Sequence, residues 1–401
     1  MNRPIIRPGE LRHVARLVGD DLAWGWPHGL DPLATWMPHA ARCTKGAHPR
    51  EALERLLRDA LSSGPVFVSF SGGRDSSALL AVAAHVARRE GLPLPVPLTS
   101  RYGDDPDADE TSWQELVIRH LQLRDWIVVD ASGTADALGP WSTAVLDVVG
   151  HNVFPPAAAR SGARAVHARG GTLVGGEPGD WVLGAHRMTY VRHLLRHRGR
   201  VGRRGWVAVL EALAPARVRG AAAARRTGSP PWLLPDAARR HRLAAARDAG
   251  VDPLLWDRAV RSLLSRRFAT LGLPTVAAVV RAHGAEPLEP FGTRAFIDAF
   301  AAWGGRLGRP SRTDVMRLIF GDLLPAQVLA RQSKASFNRQ VFGTATRAFA
   351  ESWTGAEVDH AVVDAERLRE EWLADRPDGR SLGLLQEAWL AAGATKRGGA
   401  G

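Results

Sequence analysis

The apolar run Val66-Phe67-Val68-Ser69-Phe70 passes directly into Ser71-Gly72-Gly73-Arg74-Asp75-Ser76-Ser77, after which the pattern turns helical. A strand, a glycine turn and a helix start in succession gather backbone N–H groups around an anion. Two adjacent glycines let the chain turn tightly and let a ligand approach the backbone closely. The hydroxyls of Ser71, Ser76 and Ser77 and the positive end of the helix add to the anion site. A lysine-bearing phosphate loop reads Gly-x-x-x-x-Gly-Lys-Ser/Thr, and the sequence has no such string. This loop carries Asp75 instead. A carboxylate facing a phosphate requires a cation such as Mg2+ between the two. The chemistry predicted is ATP cleaved at its α-phosphate, with magnesium pyrophosphate held in the loop.

The pattern around this loop predicts the architecture. Residues 49–61 read as a short amphipathic helix, with Leu53, Leu56, Leu57, Ala60 and Leu61 on one side. Strand 66–70 and a helix over about 75–90 follow. Residues 93–99 approach a second strand, 109–123 are helical, and 126–129 form a third strand. This alternation predicts an α/β fold with a doubly wound parallel sheet and its ligand at the strand C-terminal ends. A further strand, Thr172-Leu173-Val174, opens into Gly175-Gly176-Glu177-Pro178-Gly179-Asp180-Trp181, a second glycine-rich turn that presents carboxylates. Residues 1–48, with Trp24, Trp26 and Trp36 among prolines, read as an irregular arm. The synthetic core is expected over 49–350. Within it, 191–247 reads as a basic helical insertion broken near Gly228-Ser229-Pro230-Pro231. Residues 253–350 read as helical, and 351–401 as a C-terminal helical tail.

Bulk properties exclude several classes. No apolar run approaches the ~18 residues that span a bilayer. The start, Met1-Asn2-Arg3-Pro4, leads into no secretory apolar region, so a cytoplasmic location is expected. Cys43 is the single cysteine, which rules out an internal disulfide and a Cys-based zinc site. The net charge of +12 is almost all arginine, since the lysines are Lys45, Lys334 and Lys396. Such a bias favours contact with polyanions or acidic peptides, but charge alone is weak evidence for a partner and coding bias is the preferred account. The arginines at 192–204 have only Trp206 interleaved, so nucleic acid is not expected. His193 and His197 stand at i and i+4, but the zinc-hydrolase pattern needs Glu after the first, where Leu194 stands. No Gly-x-Ser-x-Gly elbow occurs.

Taken together, these segments resemble the synthetase domain of the asparagine synthetase family, which includes β-lactam synthetases and lasso-peptide macrolactam cyclases. The likeness runs over about 50–345. Ser71-Gly72-Gly73-Arg74-Asp75-Ser76 resembles the family's pyrophosphate loop, and Gly175-Gly176-Glu177-Pro178-Gly179-Asp180 its second loop. Gly284-Ala285-Glu286-Pro287-Leu288-Glu289-Pro290-Phe291 is similar to its Val-Glu-x-Arg-x-Pro-Phe segment. Leu324-Pro325 with Val328, Arg331, Lys334 and Phe337 is similar to its Leu-Pro…Arg-x-Lys-x-x-Phe element. The resemblance implies an adenine-nucleotide α-hydrolase sheet with a helical C-terminal part, and ATP and Mg2+ as cofactors. It implies metal ligation by Asp75 and Asp180, and nucleotide contacts at Phe70, Ser71, Gly72, Gly73, Asp75, Ser76, Leu98, Thr99, Gly175 and Gly176. Lys334 is implied as the catalytic cation and Glu177 as the carboxylate that handles the amine. Read alone, Asp180 could cap the helix after it and Lys334 could be a solvated charge. Glu286 and Glu289 are assigned no role.

The departures shape the functional expectation. Glutamine-dependent members begin with a cysteine after Met1, and here position 2 is Asn2. The amine is therefore expected from ammonia, a partner protein or the substrate itself. Pro178 replaces a glycine, Trp181 an acidic residue and Leu288 an arginine, all near the acceptor side. An aspartate or glutamate carboxylate is expected as substrate, joined to an amine in macrolactam formation on a peptide, as in lasso-peptide cyclisation. A peptide-delivery or ammonia-supplying partner is the corresponding expectation. The alternatives are an asparagine synthetase fed ammonia, a tRNA-modifying pyrophosphate-loop protein and a non-catalytic homologue.

Overall fold

The computed structural model describes residues 6–32, 34, 48–103, 107–332, 335 and 337–398. Five strands make one all-parallel sheet in the order β3-β2-β1-β4-β5. They are β1 Val66–Ser69, β2 Val96–Arg101, β3 Ile127–Asp130, β4 Thr172–Val174 and β5 Glu286–Leu288. Phe67 pairs with Val96 on one side of β1, and Val66 with Thr172 on the other. The chain thus winds outward through β2 and β3, then returns to lay β4 against β1. Such a reversal opens a crevice at the strand C-terminal ends, flanked by the loops after the two central strands. The doubly wound parallel α/β fold is the one expected.

The helix Arg74–Glu90 packs against the helix Pro49–Ser63 and against β1. From Ser76 to Ala87 it is buried at every position except His85. Its alanines keep the side-chain layer thin, so neighbours approach closely on several faces. Gly91, at φ +66, ends it in the left-handed conformation that glycine adopts freely.

Three short elements depart from the sequence expectation. The helical reading of 253–350 misses β5, which has three residues with Pro287 in the middle. A strand so brief carries no periodicity, and proline within a run argues for an edge, which is where β5 lies. The arm contains a 3-10 helix, Pro8–His13, and an α-helix, Gly19–Trp24. Trp24, Trp232, Trp353 and Trp372 share an apolar cluster that joins the arm to the C-terminal region. The Trp232 indole N–H donates to the Ala23 carbonyl at 2.8 Å. Four helices, Arg187–Arg196, Arg203–Leu213, Ala216–Arg226 and Pro235–Val251, occupy the arginine-rich stretch. No helix of the described residues is long and apolar enough to cross a membrane.

Candidate active site

Because β1 and β4 are neighbours, the turns that follow them face each other. In the first, Gly72 has φ +81, and a Cβ there would lie 3.1–3.3 Å from Gln114 and Trp113. Both the conformation and the close packing therefore favour glycine at that position. Gly73 starts the helix with no side-chain cap, leaving first-turn N–H groups for a ligand. The Ser76 hydroxyl accepts from the Ser71 backbone N–H at 3.2 Å and lies 3.1 Å from the Ser71 hydroxyl, which fixes the curl of the loop. Arg331 secures it from behind. Its guanidinium donates to the Gly72 carbonyl at 3.1 Å, pairs with the buried Glu110 carboxylate and lies over the Trp113 ring.

The second turn touches the first. A Cβ on Gly179 would lie 2.8 Å from the Asp75 carboxylate, and one on Gly176 would lie 3.6 Å from the Ser76 nitrogen. Asp75 and Asp180 consequently come within reach of one guanidinium. Arg312 donates through Nη2 to both oxygens of Asp75 at 2.6 Å and through Nη1 to Asp180 at 2.7 Å. Burial pushes the Asp75 carboxyl up, against the pull of Arg312, and the Asp180 charge adds to the rise. Sequence reasoning missed Arg312, since a lone arginine at a helix start carries no signal by itself.

These carboxylates line a cavity of about 580 Å³ together with Ser71, Gly73, Gly176 and Glu177. A family model described as asparagine synthase matches residues 48–391. The chain belongs to the asparagine synthase family. No curated protein matches the chain significantly. Membership implies an ATP-dependent, amide-forming ligase, and members use ATP, usually with Mg2+.

The residues present fit that pair of ligands. No cluster of three or more potential metal-binding side chains occurs among the described residues, so a protein-only cage is not what the site offers. Mg2+ is commonly held by one or two carboxylates plus phosphate oxygens and water. Asp75 and Asp180 supply those two carboxylates, and both of them bond to one cation, Arg312. The uncapped helix end and the glycine turn supply the anion cradle.

Other sequence-predicted residues are distributed unevenly. Ser71, Gly73, Asp75, Ser76, Gly175, Gly176, Glu177 and Asp180 line the cavity, whereas Phe70, Gly72, Leu98 and Thr99 are not on its wall. Phe70, Leu98 and Thr99 are buried behind it, where the Thr99 hydroxyl donates to the Phe70 carbonyl at 2.9 Å. They support the strand ends from within the core. Lys334 lies outside the described residues; Gln332, Ala335 and Phe337 beside it in sequence line the cavity.

Glu289, which the sequence left without a role, follows β5 into the same space. A Cβ on Gly175 would lie 2.0 Å from its carboxylate, so any larger residue there would displace that carboxylate. Its Oε2 is buried with no hydrogen-bond partner among the described residues. Burial holds this carboxyl well above its ordinary value of 4.5, and the Glu177 charge adds to the effect. The folded protein therefore retains a proton that the unfolded chain loses. Stability contributed by the neutral carboxyl is full below the unfolded value and declines as pH rises toward the folded one, by up to about 1.4 kcal/mol per pH unit. Thermal unfolding at about pH 5 and pH 8 should show a smaller loss on raising the pH for Glu289→Gln than for the parent. Identical pH dependence would mean that Glu289 carries no extra proton.

Proposed function

We propose that this chain is an AMP-forming ligase that adenylates a substrate carboxylate and couples it to an amine carried on the same peptide, closing a macrolactam. The observation that supports this reading is the convergence of Asp75 and Asp180 on one guanidinium in the wall of a cavity, beside an uncapped helix end.

The nucleotide's outer phosphates fit the Ser71–Gly73 turn, with Asp75 and Asp180 holding Mg2+. When bound, the ion neutralises phosphate charge that the two carboxylates would otherwise repel. A substrate carboxylate oxygen attacks the α-phosphorus; that O–P bond forms as the bond to the bridging oxygen breaks, and pyrophosphate leaves. The amine nitrogen then attacks the acyl carbon, the C–N bond forms, the bond from acyl carbon to AMP oxygen breaks, and AMP leaves. Glu177, on the cavity wall beside Glu289, takes the proton lost by the amine. Arg312 can turn from the carboxylates to the phosphates as charge develops. Lys334 keeps in this proposal the catalytic role that the family resemblance implies for it. Holding amine and adenylate side by side removes the entropy cost of a second encounter.

An acidic peptide suits the helices Arg187–Arg196 to Ala216–Arg226, where Glu211 is the one acidic residue among many arginines. ATP–pyrophosphate exchange, run against free amino acids and acidic peptides, tests the reading without requiring the amine. Exchange with at least one peptide, but not with aspartate, is the expected result. Release of ADP in place of AMP would overturn it. Turnover of aspartate with ammonium would transfer the assignment to asparagine formation.

A further inference from the structure

The cavity is lined by two chemically different sets of residues, the polar and charged groups around the glycine turns and a group of aromatic rings. Next to the second glycine turn, part of its wall is aromatic: Trp26, Phe154, Trp181 and Phe268 all line it, joined by Leu273. Trp181 meets Phe268 edge-on with ring centroids 4.1 Å apart, and Phe268 lies 5.3 Å from Trp26. Trp26 in turn meets Phe154 at 6.0 Å and Trp181 at 6.4 Å, both nearly perpendicular. Trp181 directly follows Asp180, so the wall begins one residue from the proposed metal ligand. None of these side chains bears a charge.

The wall is built rather than incidental. Trp26 lies before the stretch that the family model matches, residues 48–391. The helix Gly19–Trp24 ends at Gly25, at φ +70, where a Cβ would lie 1.9 Å from the Arg380 carbonyl. The Trp26 N–H donates to the Asp21 carbonyl at 3.1 Å, and its carbonyl accepts from the Trp24 indole at 2.8 Å. Arg266, Arg267 and Phe268 then act as consecutive fasteners. Arg266, itself buried, pairs with Asp248 and Asp252 of the arginine-rich region. Arg267 pairs with Asp21 at 2.6 Å and donates to the His28 carbonyl at 3.2 Å. Phe268 extends that junction into the cavity, so four separate segments, carrying Trp26, Phe154, Trp181 and Phe268, meet to present aromatic carbon to one ligand.

We propose that this wall is the subsite for a bulky apolar side chain, aromatic above all, carried next to the reacting carboxyl of the substrate. The proposal rests on the ligase reading above and specifies its substrate class. A small charged acid such as aspartate would find no polar partner there and would leave the aromatic surface wet. An aromatic side chain would cover it, contributing both buried area and ring-on-ring contact.

The test uses the full chain and two blocked peptides, N-acetyl-Phe-Asp-amide and N-acetyl-Ala-Asp-amide, with binding followed by ligand-observed NMR. ATP affinity is measured in parallel by equilibrium dialysis. We expect the Phe peptide to bind at least about tenfold more tightly than the Ala peptide, the scale of discrimination that apolar pockets reach. Trp26→Ala should reduce that ratio to within about twofold and leave ATP binding unchanged, and Trp26→Phe should restore most of it. Phe268→Leu, a milder change in the same wall, should lower the ratio to an intermediate value. Equal binding of the two peptides by the parent, or binding of neither, overturns the proposal. So does a Trp26→Ala variant that loses ATP and keeps the peptide ratio, because the wall would then hold the adenine. Peptide discrimination without any ATP–pyrophosphate exchange would support the subsite while removing the ligase reading, so the two failures are distinct.

Discussion

Asp75→Asn should lower substrate-dependent ATP–pyrophosphate exchange by about 10²–10³-fold, the scale for removing one charge-stabilising group from an active site. The replacement keeps the shape of the side chain and one of the hydrogen bonds from Arg312, and it removes the negative charge on which Mg2+ depends. The fold should tolerate it. Burial already pushes the Asp75 carboxyl up, so ionising it disfavours the folded state, and a neutral amide avoids that cost. The free variant should melt at or above the parent temperature. The parent should gain about 2.7 kcal/mol from magnesium ATP at a hundred times its Kd, and the variant should lose nearly all of that gain. Exchange within a few-fold of the parent would remove Asp75 from the reaction and, with it, the central support of the proposed function.

The sheet was legible because its strands and their glycine turns are local signals. Val66 to Phe70 followed by two glycines reads as strand and turn whatever the rest of the chain does, and Thr172 to Asp180 repeats the signal. That Asp75 and Asp180 meet follows from topology: a chain that reverses direction between β1 and β4 must bring the two turns to one crevice. What the sequence hid is tertiary. Arg312 lies 132 residues beyond Asp180, and nothing at its own position separates it from dozens of other arginines. Glu289 looks like a loop carboxylate until Gly175 is seen to accommodate it. Phe70, Leu98 and Thr99 are a different case. Phe70 directly follows β1 and Leu98 and Thr99 lie in the middle of β2, and their side chains turn into the core, a placement that a six-residue strand with its buried face unknown does not encode. Trp26 was visible as a tryptophan in an apparently irregular arm, with no local pattern to connect it to Phe268.

Arg331→Ala should destabilise the protein by about 3–5 kcal/mol, the usual consequence of leaving a buried charge without its partner. Arg331 and Glu110 are both buried, with side-chain exposures of 4% and 7%. The guanidinium also carries the Gly72 carbonyl and covers the Trp113 ring, so truncation strands a carboxylate, an acceptor and an aromatic face together. Replacing both members by apolar residues of similar size, Arg331→Met with Glu110→Leu, removes the stranded charge and should recover most of the lost stability. Activity should not recover with it. The Gly72 carbonyl would still lack its donor, and the turn that receives the phosphates would be free to rotate away from the helix end, raising the KM for ATP by about tenfold, one charged hydrogen bond's worth. Urea unfolding and exchange kinetics on the single and double variants separate the two effects. A double variant that regains both stability and ATP affinity would show that Arg331 acts only as a structural counter-charge, with no part in holding the phosphate turn in place.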